Sequence, residues 1–130
     1  CSGEATLKLR ITIPEGVISV KPMPKAGWML ETTTGDYVNS YNYYGRTLTS
    51  GVKEITWTGE LQDDFYDEFI FRAKLDSSLE PGEMLFFPTV QECAKGTNAW
   101  IEIPTEWQDP HDLKSPSPGL LLSAPDTHTH

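Results

Sequence analysis

The sequence predicts an all-β fold, an antiparallel sandwich of about seven short strands. Three observations predict it. Apolar and polar residues alternate with period two in several segments, ten glycines and ten prolines punctuate the chain, and no stretch carries a sustained helical period. At 130 residues with 38% apolar content, the length suits one domain around one core. Four tryptophans, five tyrosines and five phenylalanines supply enough burial to offset the ordering entropy.

Residues 6–13 alternate cleanly, with Leu7, Leu9, Ile11 and Ile13 on one face and Thr6, Lys8, Arg10 and Thr12 on the other. Pro14, Glu15 and Gly16 turn the chain. Ile18 and Val20 begin a second strand, which Pro22 and Pro24 end. Residues 28–34 read as a third strand with Trp28 and Leu30 inward, and the tyrosine-rich residues 35–50 as a long hairpin or loop. Residues 52–58 form another strand, with Ile55 and Trp57 on one face, followed by a turn over residues 59–64. Residues 65–75 alternate again with Phe69 and Phe71 together, and Pro81-Gly82 is a turn pair. Residues 84–90 are an almost continuous apolar run, as for a strand covered on both faces, with Pro88 marking a bulge or an edge. Residues 99–103 are the last clear strand. The domain is therefore drawn over residues 1–107. Residues 108–130, rich in Pro, Ser and His, form a tail that packs Leu120 and Leu122 back on the body.

Composition excludes several functions. Nineteen acidic against ten basic residues give a net charge of −9, which repels phosphate backbones, so nucleic acid is not an expected partner. No run of about 18 apolar residues exists to span a bilayer. The three histidines, His111, His128 and His130, all lie in the tail, so a Ser-His-Asp or Cys-His site is not expected and the catalytic set is empty. The chain starts at Cys1 with neither Met nor a leader, as in a processed protein or a fragment.

Few residues carry candidate chemistry. Asp63, Asp64, Asp67 and Glu68 match no EF-hand spacing and read as a solvated strand entry. His128 and His130 sit where nothing preorganises them as a chelate. If Ile101 and Ile103 face the core, Trp100 and Glu102 share the outer face, either as part of a ligand or metal platform or beneath a covering loop. Tyr41, Tyr43 and Tyr44 make either a protein or carbohydrate contact or the cap of a sandwich edge. Cys1 and Cys93 lack the CxxC spacing of a redox or zinc site. They form a disulfide, worth roughly 4 kcal/mol in the chain-entropy model, or leave Cys1 free or lipidated.

Six strings in order carry a resemblance: Val-Lys-Pro-Met-Pro-Lys-Ala-Gly-Trp (20–28), Val-Lys-Glu-Ile-Thr-Trp (52–57), Tyr-Asp-Glu-Phe-Ile-Phe-Arg (66–72), Val-Gln-Glu-Cys (90–93), Trp-Ile-Glu-Ile-Pro (100–104) and Ser-Pro-Gly-Leu (117–120). Together they resemble the YcnI-like family of exported bacterial proteins, in its proteobacterial branch. The resemblance implies an immunoglobulin/fibronectin-III-like sandwich, a periplasmic or secreted location, a Cys1–Cys93 disulfide and a link to copper. Its copper-binding members hold Cu(II) through the amine and imidazole of an amino-terminal histidine, with a carboxylate and a tryptophan nearby. Trp100 matches that tryptophan, Glu4 is the candidate carboxylate, and Glu102 enters from the strand pattern alone. At Cys1 the family has already passed its histidine and first strand, so the copper site is expected to be incomplete and a sheet edge exposed. The function expected is a metallochaperone or accessory protein of copper homeostasis, with the copper ion and other copper-handling proteins as partners. The alternative is a metal-free adhesion or assembly module that binds a protein or glycan through an aromatic surface.

Overall fold

The computed structural model describes residues 3–101, 103 and 117–122. Nine strands lie among them: β1 (Thr6–Thr12), β2 (Val17–Pro22), β3 (Met29–Tyr43), β4 (Arg46–Leu61), β5 (Phe71–Leu75), β6 (Met84–Phe86), β7 (Thr89–Cys93), β8 (Thr97–Trp100) and β9 (Gly119–Leu121). A five-stranded antiparallel sheet runs β3-β4-β1-β7-β8, and two ribbons, β2–β5 and β6–β9, form the opposing layer. No described helix is long and apolar enough to cross a membrane. The all-β antiparallel expectation holds, with more strands than the seven counted from sequence.

The core lies between the layers. Leu9 faces Trp57 and Ile11 faces Ile55 across the β1–β4 ladder, which places all four on the inner face. They meet Val17 from β2, Leu85 from β6 and Leu122 beyond β9. Trp57 and Ile55 are fully buried. The Trp57 indole N–H donates to the Met23 carbonyl at 3.1 Å, and the ring meets Phe69 edge-on at 5.4 Å.

Four local readings are corrected. Leu7 does not continue the inward row. A bulge between Thr6 and Lys8 shifts the β1 register, so Thr6 is buried instead and accepts a 2.7 Å hydrogen bond from the Gln91 side-chain amide. The 84–90 run is two strands in different layers. Pro88 has no N–H to continue a ladder; β6 ends before it, and β7 begins after it in the large sheet. The strand expected over 65–75 is confined to β5, while Phe69 anchors the preceding loop by packing against Trp28 at 5.0 Å. The last strand is shifted too: β8 ends at Trp100, and Ile101 and Ile103 are half exposed.

β1 is paired on both sides, and the outer strands of the large sheet are β3 and β8. In the segment assigned to the tail, β9 pairs with β6, and Leu122 is buried while Leu120 is exposed.

Residues 35–50 form a hairpin rather than a loop. β3 and β4 pair up to Tyr43↔Arg46, and the two residues between them, Tyr44 and Gly45, both have positive φ, as a two-residue primed turn demands. Along this arm Tyr37 lies so close over Gly51 that a Cβ there would stand 1.9 Å from its hydroxyl, so any larger residue at that position requires the Tyr37 ring to move.

β3 bulges between Asp36 and Tyr41, which frees backbone amides from the ladder. Glu15, in the β1–β2 turn, satisfies two of them. Its carboxylate accepts from the Val38 amide at 3.1 Å and the Asn39 amide at 3.4 Å. It also accepts from the Tyr41 hydroxyl and pairs with Lys53 at 3.4 Å. Partial burial opposes ionisation of Glu15, but the bonds from Tyr41, Val38, Asn39 and Lys53 outweigh it and hold the carboxyl below its usual range. Burial, then the bond to Glu15, pushes the Tyr41 hydroxyl up. One acidic side chain thus ties the hairpin arm to the body.

Two outcomes follow. Replacing Ile55 by Ala costs about 2–5 kcal/mol, whereas Val38→Ala, at an 84% exposed site, changes stability by less than about 0.5 kcal/mol; urea denaturation compares them. Because the Glu15 pKa is depressed in the fold, its contribution is complete above the ordinary glutamate value of about 4.3 and is lost as pH falls through the lower folded value. NMR spectra should show the Val38 and Asn39 amides shifting together in that acid range, and Glu15→Gln should abolish the step.

Candidate functional site

The two described residues expected to hold a metal, Trp100 and Glu4, lie toward opposite ends of β7. Trp100 lies opposite Thr89, which lies opposite the core residue Ile11. Directly opposed residues share a sheet face, so Trp100 lies on the inner face at the open edge of β8, 36% exposed. This corrects the reading that put it outside with Ile101 and Ile103 inside. Glu4 lies past the other end, beyond Thr6↔Cys93, and lines a shallow cleft with Thr6, Asp63 and Gln91. From Thr89 to Cys93 is about 13 Å of strand, so the fold does not bring Trp100 and Glu4 together. Glu102 lies outside the described residues, as do His111, His128, His130 and Cys1. Among the described residues, no three His, Cys, Asp or Glu side chains are grouped to hold a metal ion. Glu4 and Asp63 offer hard oxygens without the nitrogen donors that suit Cu(II), so the described residues do not fit a copper site.

Cys93 is not a free thiol. The amino-terminal segment runs beside it, since Thr6 is its ladder partner and the Ala94 amide donates to the Ala5 carbonyl at 3.1 Å.

The acidic group is structural where it is partnered. Asp67 forms an ion pair with Lys25, whose ammonium also donates to the Glu68 carbonyl at 2.6 Å. The bond from Lys25 and the Glu68 amide hold the Asp67 carboxyl below its usual range. Glu68 accepts from the Tyr66 hydroxyl, a bond that pushes that phenol up. These contacts fasten the 65–70 loop to residue 25.

The tyrosine cluster divides. Tyr41 is buried and packs edge-on to Tyr37 at 5.3 Å. Tyr43 and Tyr44 instead reach the surface at the hairpin tip, ring to ring at 4.6 Å. There they flank an open cleft of about 450 Å³ whose other wall is the β2–β5 ribbon. Lys74 stands 5.2 Å from the Tyr43 centroid and 5.3 Å from that of Tyr44. Arg72 is two residues away on β5, and Lys21 is its cross-strand partner on β2. Ser19 also lines the cleft; its φ of 53° lies in a bulge between Ile18 and Lys21, which resets the register that puts Lys21 opposite Arg72. No described Asp or Glu lines the cleft.

Sequence reading found the tyrosines but missed the cations. Arg72 and Lys74 alternate visibly, yet Lys21 lies far from them in sequence, and nothing local places the 43–44 turn over that ribbon.

The chain matches the family described as "Domain of unknown function (DUF1775)" over residues 1–122. No curated protein matches it. Among solved structures it is similar to a protein from Nocardia farcinica, whose crystal structure is described as revealing an immunoglobulin-like fold. The two share 22% identity with a TM-score of 0.57, covering 95% of this chain and 81% of the other. That likeness gives the sandwich its immunoglobulin-like character. With a match spanning all nine described strands, the chain belongs to the DUF1775 family, the domain of the YcnI-like proteins.

Proposed function

We propose that this chain is a non-enzymatic binding domain of a periplasmic or secreted protein with an accessory role in copper homeostasis, and that it holds its partner at the Tyr43–Tyr44–Lys74 cleft. One observation carries the binding role: a chain of net charge −9 gathers Lys21, Arg72 and Lys74 beside two surface tyrosines. Such a cleft is shaped for contact, with aromatic faces and fixed cations preorganised on paired strands. The link to copper is supported by the six YcnI-like strings and by nothing in the cleft. Trp100 and Glu4 are the residues the resemblance offers for the metal, with Glu102 added from the strand pattern alone, and the separation of Trp100 from Glu4 favours a role that does not depend on a complete Cu(II) site in this chain.

The same cleft favours a second reading, an adhesion or assembly module with no copper link. Copper tolerance of the host separates the two. For the accessory role, loss of the gene sensitises cells to copper, and wild type restores tolerance while Arg72→Ala/Lys74→Ala does not. Unchanged tolerance on gene loss leaves the adhesion reading.

The Cys1–Cys93 disulfide belongs to this proposal. It would staple the amino-terminal segment to β7, where the Ala5–Ala94 contact already brings that segment, and contribute roughly 4 kcal/mol in the chain-entropy model.

Two measurements check these statements. Calorimetric titration of the variant lacking His128 and His130 should show no tight 1:1 Cu(II) site; a tight site would reinstate a complete one. Unfolded, unreduced protein should show no reactive thiol, and two would rule out the disulfide.

A further inference from the structure

The chemistry of the cleft specifies its ligand more closely. We infer that it is a subsite for an acidic oligosaccharide, one whose sugar units carry carboxylates. This rests on the reading that the cleft is a contact surface.

The charges are available. The ion pairs among the described residues are Lys8–Glu92, Lys25–Asp67 and Lys53–Glu15, so Lys21, Arg72 and Lys74 are in none of them. Asp76 lies close enough for the charge of Lys74 to be felt, but its carboxylate is engaged by the Ser78 hydroxyl and amide. Three cations on one small surface repel one another, and an anion relieves that repulsion. Arg72 offers a planar fork suited to a carboxylate, with Lys21 its cross-strand partner and Lys74 two residues along β5, all lining the same cleft.

The rings choose between anions. Tyr44 is 85% exposed at the tip of a tight turn, with Tyr43 and Lys74 supporting it. A sugar has a flat apolar C–H face for such a ring and hydroxyls for Ser19, while its carboxylate meets Arg72. A peptide of glutamates alone offers the carboxylates but no flat C–H face for Tyr44. The opening, about 450 Å³ and broadly exposed, suits an extended chain passing through rather than an enclosed small molecule.

Calorimetry with an oligogalacturonate, the same oligosaccharide with its carboxylates methyl-esterified, and poly-glutamate tests the inference. The free acid should bind, more weakly as salt is raised, and the ester should not. Arg72→Ala/Lys74→Ala should weaken binding about tenfold or more, and Tyr44→Ala should weaken it severalfold. All these side chains are exposed, and thermal melts should show both variants folded as wild type. Equal binding of the ester, or unchanged binding by the double variant, overturns the inference. Poly-glutamate binding as tightly, with Tyr44→Ala without effect, also overturns it and assigns the cleft to an acidic peptide, leaving the contact-surface reading intact. If neither polyanion binds, the inference is overturned, and the contact-surface reading stands or falls on the copper-tolerance test.

Discussion

A fully buried indole must place its N–H against an acceptor or leave a polar group stranded in the core. Trp57 solves this through the Met23 carbonyl, and much of the fold follows from that bond. It pins the segment after β2 across the inner face of β4. Lys25, two residues on, then reaches Asp67 and the Glu68 carbonyl, and Phe69 comes to rest against both Trp28 and Trp57. A single aromatic side chain therefore sets where two irregular loops lie. Ile55, its neighbour on the same face, meets Ile11 and closes the large sheet over the β2–β5 ribbon.

The hairpin arm obeys a different constraint. It is long and mostly polar, and much of it is exposed, so burial alone cannot fix it. Glu15 does so instead, by answering amides that the β3 bulge takes out of the ladder. The consequence reaches the cleft, because the same arm carries Tyr43 and Tyr44 at its tip. Packing of the body, charge in the β1–β2 turn and position of the two tip tyrosines form one chain of dependence.

Charge is also distributed unevenly, in a way that net charge hides. Acidic residues predominate, and Lys8, Lys25 and Lys53 are each spent on a carboxylate. Lys21, Arg72 and Lys74 are kept together and out of such pairs. An overall value of −9 argues against polyphosphate partners at long range, but it does not describe a surface a few ångströms across, where screening isolates the local field.

The period-two pattern was enough to read an all-β sandwich and the inward row Leu9, Ile11, Ile55 and Trp57, because side-chain alternation is a local property of extended chain. Pattern failed where one residue breaks register: at the Thr6–Lys8 bulge, which buried Thr6 in place of Leu7, and at Pro88, which split one apolar run between two layers. Nor does a pattern say how far apart register leaves Trp100 and Glu4. The cleft was invisible for the same reason. Sequence alone determined which segments alternate, and with that the layered fold; only the tertiary structure decided which distant side chains meet, because the pairing of Lys21 with Arg72 and the placing of two tyrosines above them depend on bulges and ladders that no local window contains.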